Sequence, residues 1–382
     1  MQRFAFTSPQ SHRSGNVLVL SAASLVAVFG FAAFVVDIGF ITLTRAELGT
    51  VADAAALAAT IELPDGFTGT SWNTVTTNAK TAAQATAAAN VGGGLNSVYL
   101  DTNRDIRFGN HSYDAATGQW VTTWGTAPFN IAEATLHRDQ AGSVAGDQPL
   151  DLFFAPIIGH NRASVSMTAR AALLPAVGIK KIPGKNLGVL PITLDISSWN
   201  ALMAGNGSDL YSYNSETGAI TQGSDGVKEV DLYPLSNTTT TAGNRGTVDF
   251  GSADNSTADI SRQILYGLND ADLAALDGEI NWSQGSFVLN GDTGLSAGIK
   301  DELVTIKGQP RMIPLFTSVS GPGNNAMYTI TKIVGIRILH VQLTGKSKKV
   351  LVQPASIVEP GAIYGPTTVT SGTVFTPGVI VN

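Results

Sequence analysis

Charge disappears from the chain between residues 17 and 36. The stretch reads Val-Leu-Val-Leu-Ser-Ala-Ala-Ser-Leu-Val-Ala-Val-Phe-Gly-Phe-Ala-Ala-Phe-Val-Val, 20 residues with no polar face. As a helix it is ~30 Å long, the thickness of a bilayer's hydrocarbon core, so the pattern predicts a transmembrane helix. Ser21 and Ser24 can return their hydroxyls to backbone carbonyls in a helix, and neighbouring turns make Gly30 tolerable in lipid. Beyond it the pattern changes from all-apolar to periodic. Residues 38–60 hold no Pro and are rich in Ala, and apolar or small side chains recur at Ile41, Thr44, Leu48, Val51, Ala55 and Ala58. Steps of three and four mark one face of a helix, so the transmembrane helix is expected to continue as a stalk until Pro64-Asp65-Gly66 ends it. The stripe formed by Ile41, Leu48, Val51 and Ala55 would pack on the chain's own domain, or against a partner or second copy.

Further along, shorter periodicities alternate. Residues 73–90 read as a helix ending at Gly92-Gly93-Gly94. Strands are expected at 105–111, 119–123 and 130–138, with Asp114-Ala115-Ala116-Thr117-Gly118 turning the first into the second. A short apolar helix is expected at 150–158 and a strand at 163–174. The lysines of residues 177–186 interrupt the pattern and suggest a solvated linker. After it come a strand at 187–194, a helix at 196–203, a helix capped by Ser256, a helix at 270–276, and strands at 286–290, 312–319, 328–334, 336–343 and 350–353. The fold class is therefore α+β: a transmembrane helix (17–36) behind a short N-terminus (1–16), a stalk helix (37–62), and two β-rich antiparallel regions (63–178 and 186–360). Residues 361–382, rich in Thr and Val without a core pattern, are expected to be a loose tail.

Charge sets the orientation. Arg3 and Arg13 precede the apolar run with no acid beside them, and Asp37 is the first acid after it. Positive residues stay on the cytoplasmic side, which places the N-terminus inside, the bulk outside the inner membrane, and Asp37 at the membrane exit. A cleaved signal would have a shorter apolar region and small residues at its end, whereas Asp37-Ile38-Gly39-Phe40 follows here, so the segment is expected to stay as an anchor. Hydrophobic residues make up 43 % of the 382 and charged ones 14 %, with 41 Gly, a mixture suited to β-rich extracytoplasmic regions with many turns. The net charge of −6 gives no general attraction to nucleic acid. With no Cys there is no disulfide framework and no thiol chemistry.

Several blocks then line up in order: Arg13-Ser14-Gly15-Asn16, the apolar run, Val36-Asp37-Ile38-Gly39, and Val51-Ala52-Asp53-Ala54-Ala55-Ala56-Leu57-Ala58-Ala59. Together they resemble the N-terminal module of TadG-like Flp pilus-assembly proteins. Pieces of residues 246–345, among them Gly308-Gln309-Pro310-Arg311-Met312 and Gly323-Asn324-Asn325-Ala326-Met327-Tyr328, are similar to the C-terminal region of such proteins in some bacteria. The resemblance implies a non-enzymatic, membrane-anchored component of pilus or envelope assembly. Its partners would be membrane lipid and other assembly proteins, with self-association through the stalk as one option. Pilin-like relatives that are processed carry Glu five residues after the cleavage-site Gly. Counted from Gly15 that position is Leu20, so Gly15 is a weak candidate for cleavage into a pseudopilin-like subunit.

Motifs for chemistry are incomplete. Gly294-Leu295-Ser296-Ala297-Gly298 has the spacing of a hydrolase elbow, with His340 and Glu359 or Asp301 as conceivable partners, but no strand runs directly into Ser296. Asp101-x-Asn103-x-Asp105 opens like a calcium loop and then has Ile106 where Gly is needed. The Asp195 and Asp254 segments lack the last Ser of a von Willebrand A metal site, and the lysines of Gly345-Lys346-Ser347 read as a hairpin turn. No cofactor or metal is expected.

Overall fold

The computed structural model describes residues 16–233, 245–251, 256–321 and 323–381. Its first element is one continuous helix, α1 (Asn16–Ile61), so the apolar span and the stalk are a single rod as the sequence predicts. Pro64 lies in the 3-10 turn Leu63–Thr68 that ends the rod, and Gly69 supplies the left-handed residue (φ 117°) that closes the turn. α2 (Trp72–Ala88) follows.

The chain forms two compact units interleaved in sequence. One is built from residues up to Ala52, Ala87–Leu100 and Thr135–Thr168; the other from Asp53–Thr86, Asp101–Ala134 and the chain from Ala169 onward. An antiparallel sheet has the order β2 (Gln119–Trp124), β1 (Ile106–Asp114), β3 (Ile131–Arg138), β6 (Val165–Ala172) and the C-terminal pair Val379–Ile380. The β1–β2 turn is the expected one: Asp114 Oδ1 accepts the Ala116 N–H at 2.9 Å and Oδ2 accepts the Thr117 hydroxyl at 2.8 Å. Asn130 stitches this region. Its amide donates to the carbonyls of His111 (2.8 Å) and Leu173 (3.0 Å), while its oxygen accepts the His111 N–H.

The larger unit holds a seven-stranded sheet. Strands Ala326–Gln342, Phe287–Asp292, Arg245–Val248, Ile192–Asp195 and Pro310–Ser320 hydrogen-bond in that order, and the last pairs back onto the first, closing a five-stranded ring. Lys349–Pro354 and Val230–Asp231 extend it from the far half of the long strand. Ile192, Leu194, Ile313, Leu315, Val334 and Ile336 join one buried cluster with Trp199, Ile264 and Leu303 of the covering helices; Phe250, Trp282, Met312, Phe316 and Tyr328 belong to a second. The capped helices stand where expected: Asp195 accepts the Ser198 N–H ahead of Ile196–Met203, and Ser256 accepts that of Asp259 ahead of Thr257–Tyr266.

Four expectations are corrected. The two strands expected on either side of Gly335 are one strand of 17 residues. Gly335 is a close-approach position, because a Cβ there would sit 2.2 Å from the Ala355 carbonyl of the neighbouring backbone. The expected linker at 177–186 contains the strand Gly178–Lys180, held between Glu279–Asn281 and Ala362–Ile363. The strand expected over 187–194 is regular only from Ile192, Leu187 and Val189 making single bridges. The tail is not loose. Val374–Phe375 pairs with Ile357–Val358, Val379–Ile380 completes the first sheet, and Val374 and Phe375 are fully buried. Remote backbone, and not a local hydrophobic pattern, organises it.

Candidate functional site

Residues 17–36 of α1 are exposed around the whole helix, save for half-buried Ala33. An apolar helix uncovered on every side is the pattern of a membrane span and not of a surface helix, which buries one stripe. That stripe begins at Asp37. From there Asp37, Thr44, Leu48, Val51, Ala55 and Ala59 are buried along one face. Of the residues singled out in the sequence, Leu48, Val51 and Ala55 are covered inside the chain and Ile41 is half-buried. Gly15 lies outside the described residues.

Asp37 is the centre of the site. Only 3 % of it is exposed, and its carboxylate accepts three consecutive backbone N–H groups. Oδ1 takes that of Phe153 at 2.8 Å, and Oδ2 takes those of Phe154 at 3.0 Å and Ala155 at 2.6 Å. These donors open the 3-10 turn Ala155–Ile158, where the first N–H groups have no partner within the turn, and a carboxylate is the natural acceptor for them. The turn caps a small hairpin of β4 (Leu150–Asp151) and β5 (Arg162–Ala163), closed by an Asp151–Arg162 ion pair at 2.7 Å. Phe153 sets its ring edge against Phe40, one turn beyond Asp37, with centroids 5.4 Å apart. A helix over 150–158 is therefore replaced by a strand and one 3-10 turn. Pro156, third from the end of the segment, removes a donor that a helix running from residue 150 would need in its interior, and Asp37 supplies the acceptor that a longer helix would have found in itself.

The stalk is fixed by groups that sequence reading missed. Glu47 accepts the Gly93 N–H at 2.8 Å, and buried Arg138 donates to the carbonyls of Gly93 and, at 2.8 Å, Gln148. Gly93 is left-handed (φ 59°), and a Cβ there would stand 2.7 Å from the Arg138 guanidinium, so the triple-glycine turn is what admits the arginine. The available signal was three glycines in a row, readable as a helix stop but not as a binding cradle.

Asp37→Ala leaves three adjacent N–H groups without an acceptor beside apolar surface. Chymotryptic cleavage at Phe153 and Phe154, in detergent, is expected to accelerate ~tenfold or more as the turn opens more often. An unchanged cleavage rate would show that the carboxylate does not hold the turn.

The motifs for chemistry have structural occupations. Ser296 Oγ accepts the Gly298 N–H at 3.1 Å as the cap of a 3-10 turn, while His340 stacks on Tyr211 with its Nδ1 3.0 Å from the phenol oxygen. Asp101 caps its own loop by accepting the Asn103 N–H, and Asp105 is paired with Arg104. Among the described residues no three His, Asp or Glu side chains gather as a metal site would need.

No curated protein and no solved structure matches this chain. One helix among the described residues, α1, is long and apolar enough to cross a membrane. Residues 15–61, which take in the rod that carries Asp37, match the family model Tad, described as "Putative Flp pilus-assembly TadE/G-like", and that segment is what the chain shares with the family.

Proposed function

We propose that this chain is a non-enzymatic, single-pass component of Tad-type pilus assembly or a related envelope assembly. Residues 17–36 cross the inner membrane, the N-terminus is cytoplasmic, and the β-rich bulk acts outside through contacts with other assembly proteins. One coincidence carries the reading. The family match at residues 15–61 falls on the helix whose apolar half has no cover in the chain's own structure. Because Leu48, Val51 and Ala55 are occupied within the chain, partner proteins meet other surfaces than that stripe.

Reporter fusions at the C-terminus test the topology. Alkaline phosphatase, which matures only outside the cytoplasm, is expected to be active there, and a cytosolic fluorescent protein dark. A glowing cytosolic fusion, or full-length chain in the soluble fraction, would overturn the proposal. Co-purification with the other pilus-assembly proteins tests the role itself.

A further inference from the structure

The hairpin turn clasped by Asp37 has a surface that a water-facing loop would not keep. Residues 152–159 read Leu-Phe-Phe-Ala-Pro-Ile-Ile-Gly, without one charged or hydrogen-bonding side chain. Four of them stand out in the open: Phe153 is 65 % exposed, Phe154 42 %, Ile157 84 % and Ile158 68 %. So much large apolar surface within six residues of one turn marks a contact surface. It does not stand alone. Phe154 and Ile157 line a groove with Val26, Phe29, Gly30 and Ala33 of α1, so the patch is continuous with the uncovered apolar helix. The groove reaches back from Val36 to Val26, ~15 Å along the axis at 1.5 Å per residue, about half the thickness of a hydrocarbon core.

From this continuity we infer that the turn 152–159 is inserted in the outer leaflet beside the span, with lipid acyl chains covering Phe153, Phe154, Ile157 and Ile158. The inference rests on the proposal that residues 17–36 cross the bilayer. Non-helical backbone at membrane depth is tolerated where it is packed on protein, and six residues of this turn donate their N–H groups within the chain. Leu152 donates to the Asn161 carbonyl, while Phe153, Phe154 and Ala155 donate to Asp37. Pro156 has no N–H to satisfy. Ile157 donates to the Phe154 carbonyl, Gly159 to that of Pro156 and His160 to that of Ala155. Charge returns immediately outside the apolar run, in the Asp151–Arg162 pair across the hairpin base. Asp37 thus supplies the acceptor for three adjacent N–H groups of an apolar turn docked against the span.

The chain has no Cys, so single-cysteine probes can be placed without background. Ile157→Cys, Leu25→Cys and Val144→Cys, the last at a fully exposed position, are labelled with an environment-sensitive fluorophore in the full-length protein. The labelled protein is reconstituted in phosphatidylethanolamine–phosphatidylglycerol vesicles. The probe at 157 is expected to shift to the blue and to be quenched by lipids carrying a doxyl group high on the acyl chain. The probe at 25 should be quenched by a deep doxyl group, and the probe at 144 only by aqueous iodide. Iodide quenching at 157 with lipid quenching kept at 25 overturns the insertion and leaves the span standing. Shielding at 157 from both quenchers means a protein surface, a second copy included, covers the turn, which also overturns it. Iodide quenching at 25 removes the span and the insertion together.

Discussion

Leu25→Asp is expected to release this chain from the membrane. Leu25 stands near the middle of the uncharged run, 59 % exposed, and nothing in the chain's own structure covers the helix there. An Asp at the centre of a span is unfavourable for insertion by about 3 kcal/mol, and the favourable contribution of the leucine is lost with it. At 1.4 kcal/mol per decade, that moves the inserted-to-excluded ratio by roughly a hundredfold or more. Leu43→Asp is the matched control. It changes an equally open leucine (56 % exposed) on the same helix, but beyond Asp37, where the rod has left the hydrocarbon under the proposed topology. The fraction retained in membranes after alkaline extraction should collapse for the first variant and stay at the parental level for the second. Equal retention of both would mean that something other than this helix holds the protein.

The contrast between those two leucines follows the boundary that the sequence already places at Asp37. What is legible there is local. An uncharged run of fixed length, followed by a three-four stripe, needs no knowledge of the remainder of the chain, and α1 emerges as one helix from Asn16 to Ile61. The cap at Ser256 and the Asp114–Gly118 turn are legible for the same reason, each being a side chain serving N–H groups two or three residues away. Asp37 was marked by its place after the span, yet its partners lie 116 to 118 residues further on, and no periodicity connects the two. The apolar run at 152–158 was equally visible. A helix was the natural expectation, because the acceptor that lets it be a single turn belongs to a distant element. Gly335 misled in the opposite way. Glycine inside a hydrophobic run reads as a break, whereas here it lets the Ala355 backbone approach more closely than any side chain would allow.

The same distinction between local pattern and remote partner makes Phe375→Ala the sharpest test of the C-terminal segment. Judged by composition, residues 361–382 should tolerate truncation of any side chain. In the structure Phe375 is 1 % exposed and lies 4.8 Å, centroid to centroid, from Phe67. Its carbonyl accepts the Glu359 N–H at 2.9 Å, and next to it Thr376 exchanges hydrogen bonds with Leu174, N–H to carbonyl at 2.9 Å and N–H to hydroxyl at 3.1 Å. Removing a fully buried aromatic ring costs ~3–5 kcal/mol, the spread reflecting how far the cavity collapses. Against a domain stability of ~5–15 kcal/mol that is a large share. At a few degrees per kcal/mol for a domain of this size, the midpoint of thermal unfolding should fall by on the order of 10 °C. Val369→Ala, in the same segment but 49 % exposed, should change stability by no more than ~0.5 kcal/mol. Thermal unfolding of the full chain in detergent, followed by tryptophan fluorescence, reads both, since Trp282 belongs to the larger unit that holds Phe375. A loose tail would leave the two midpoints together; a tail that completes a core separates them, because only one of the two side chains has anything to lose.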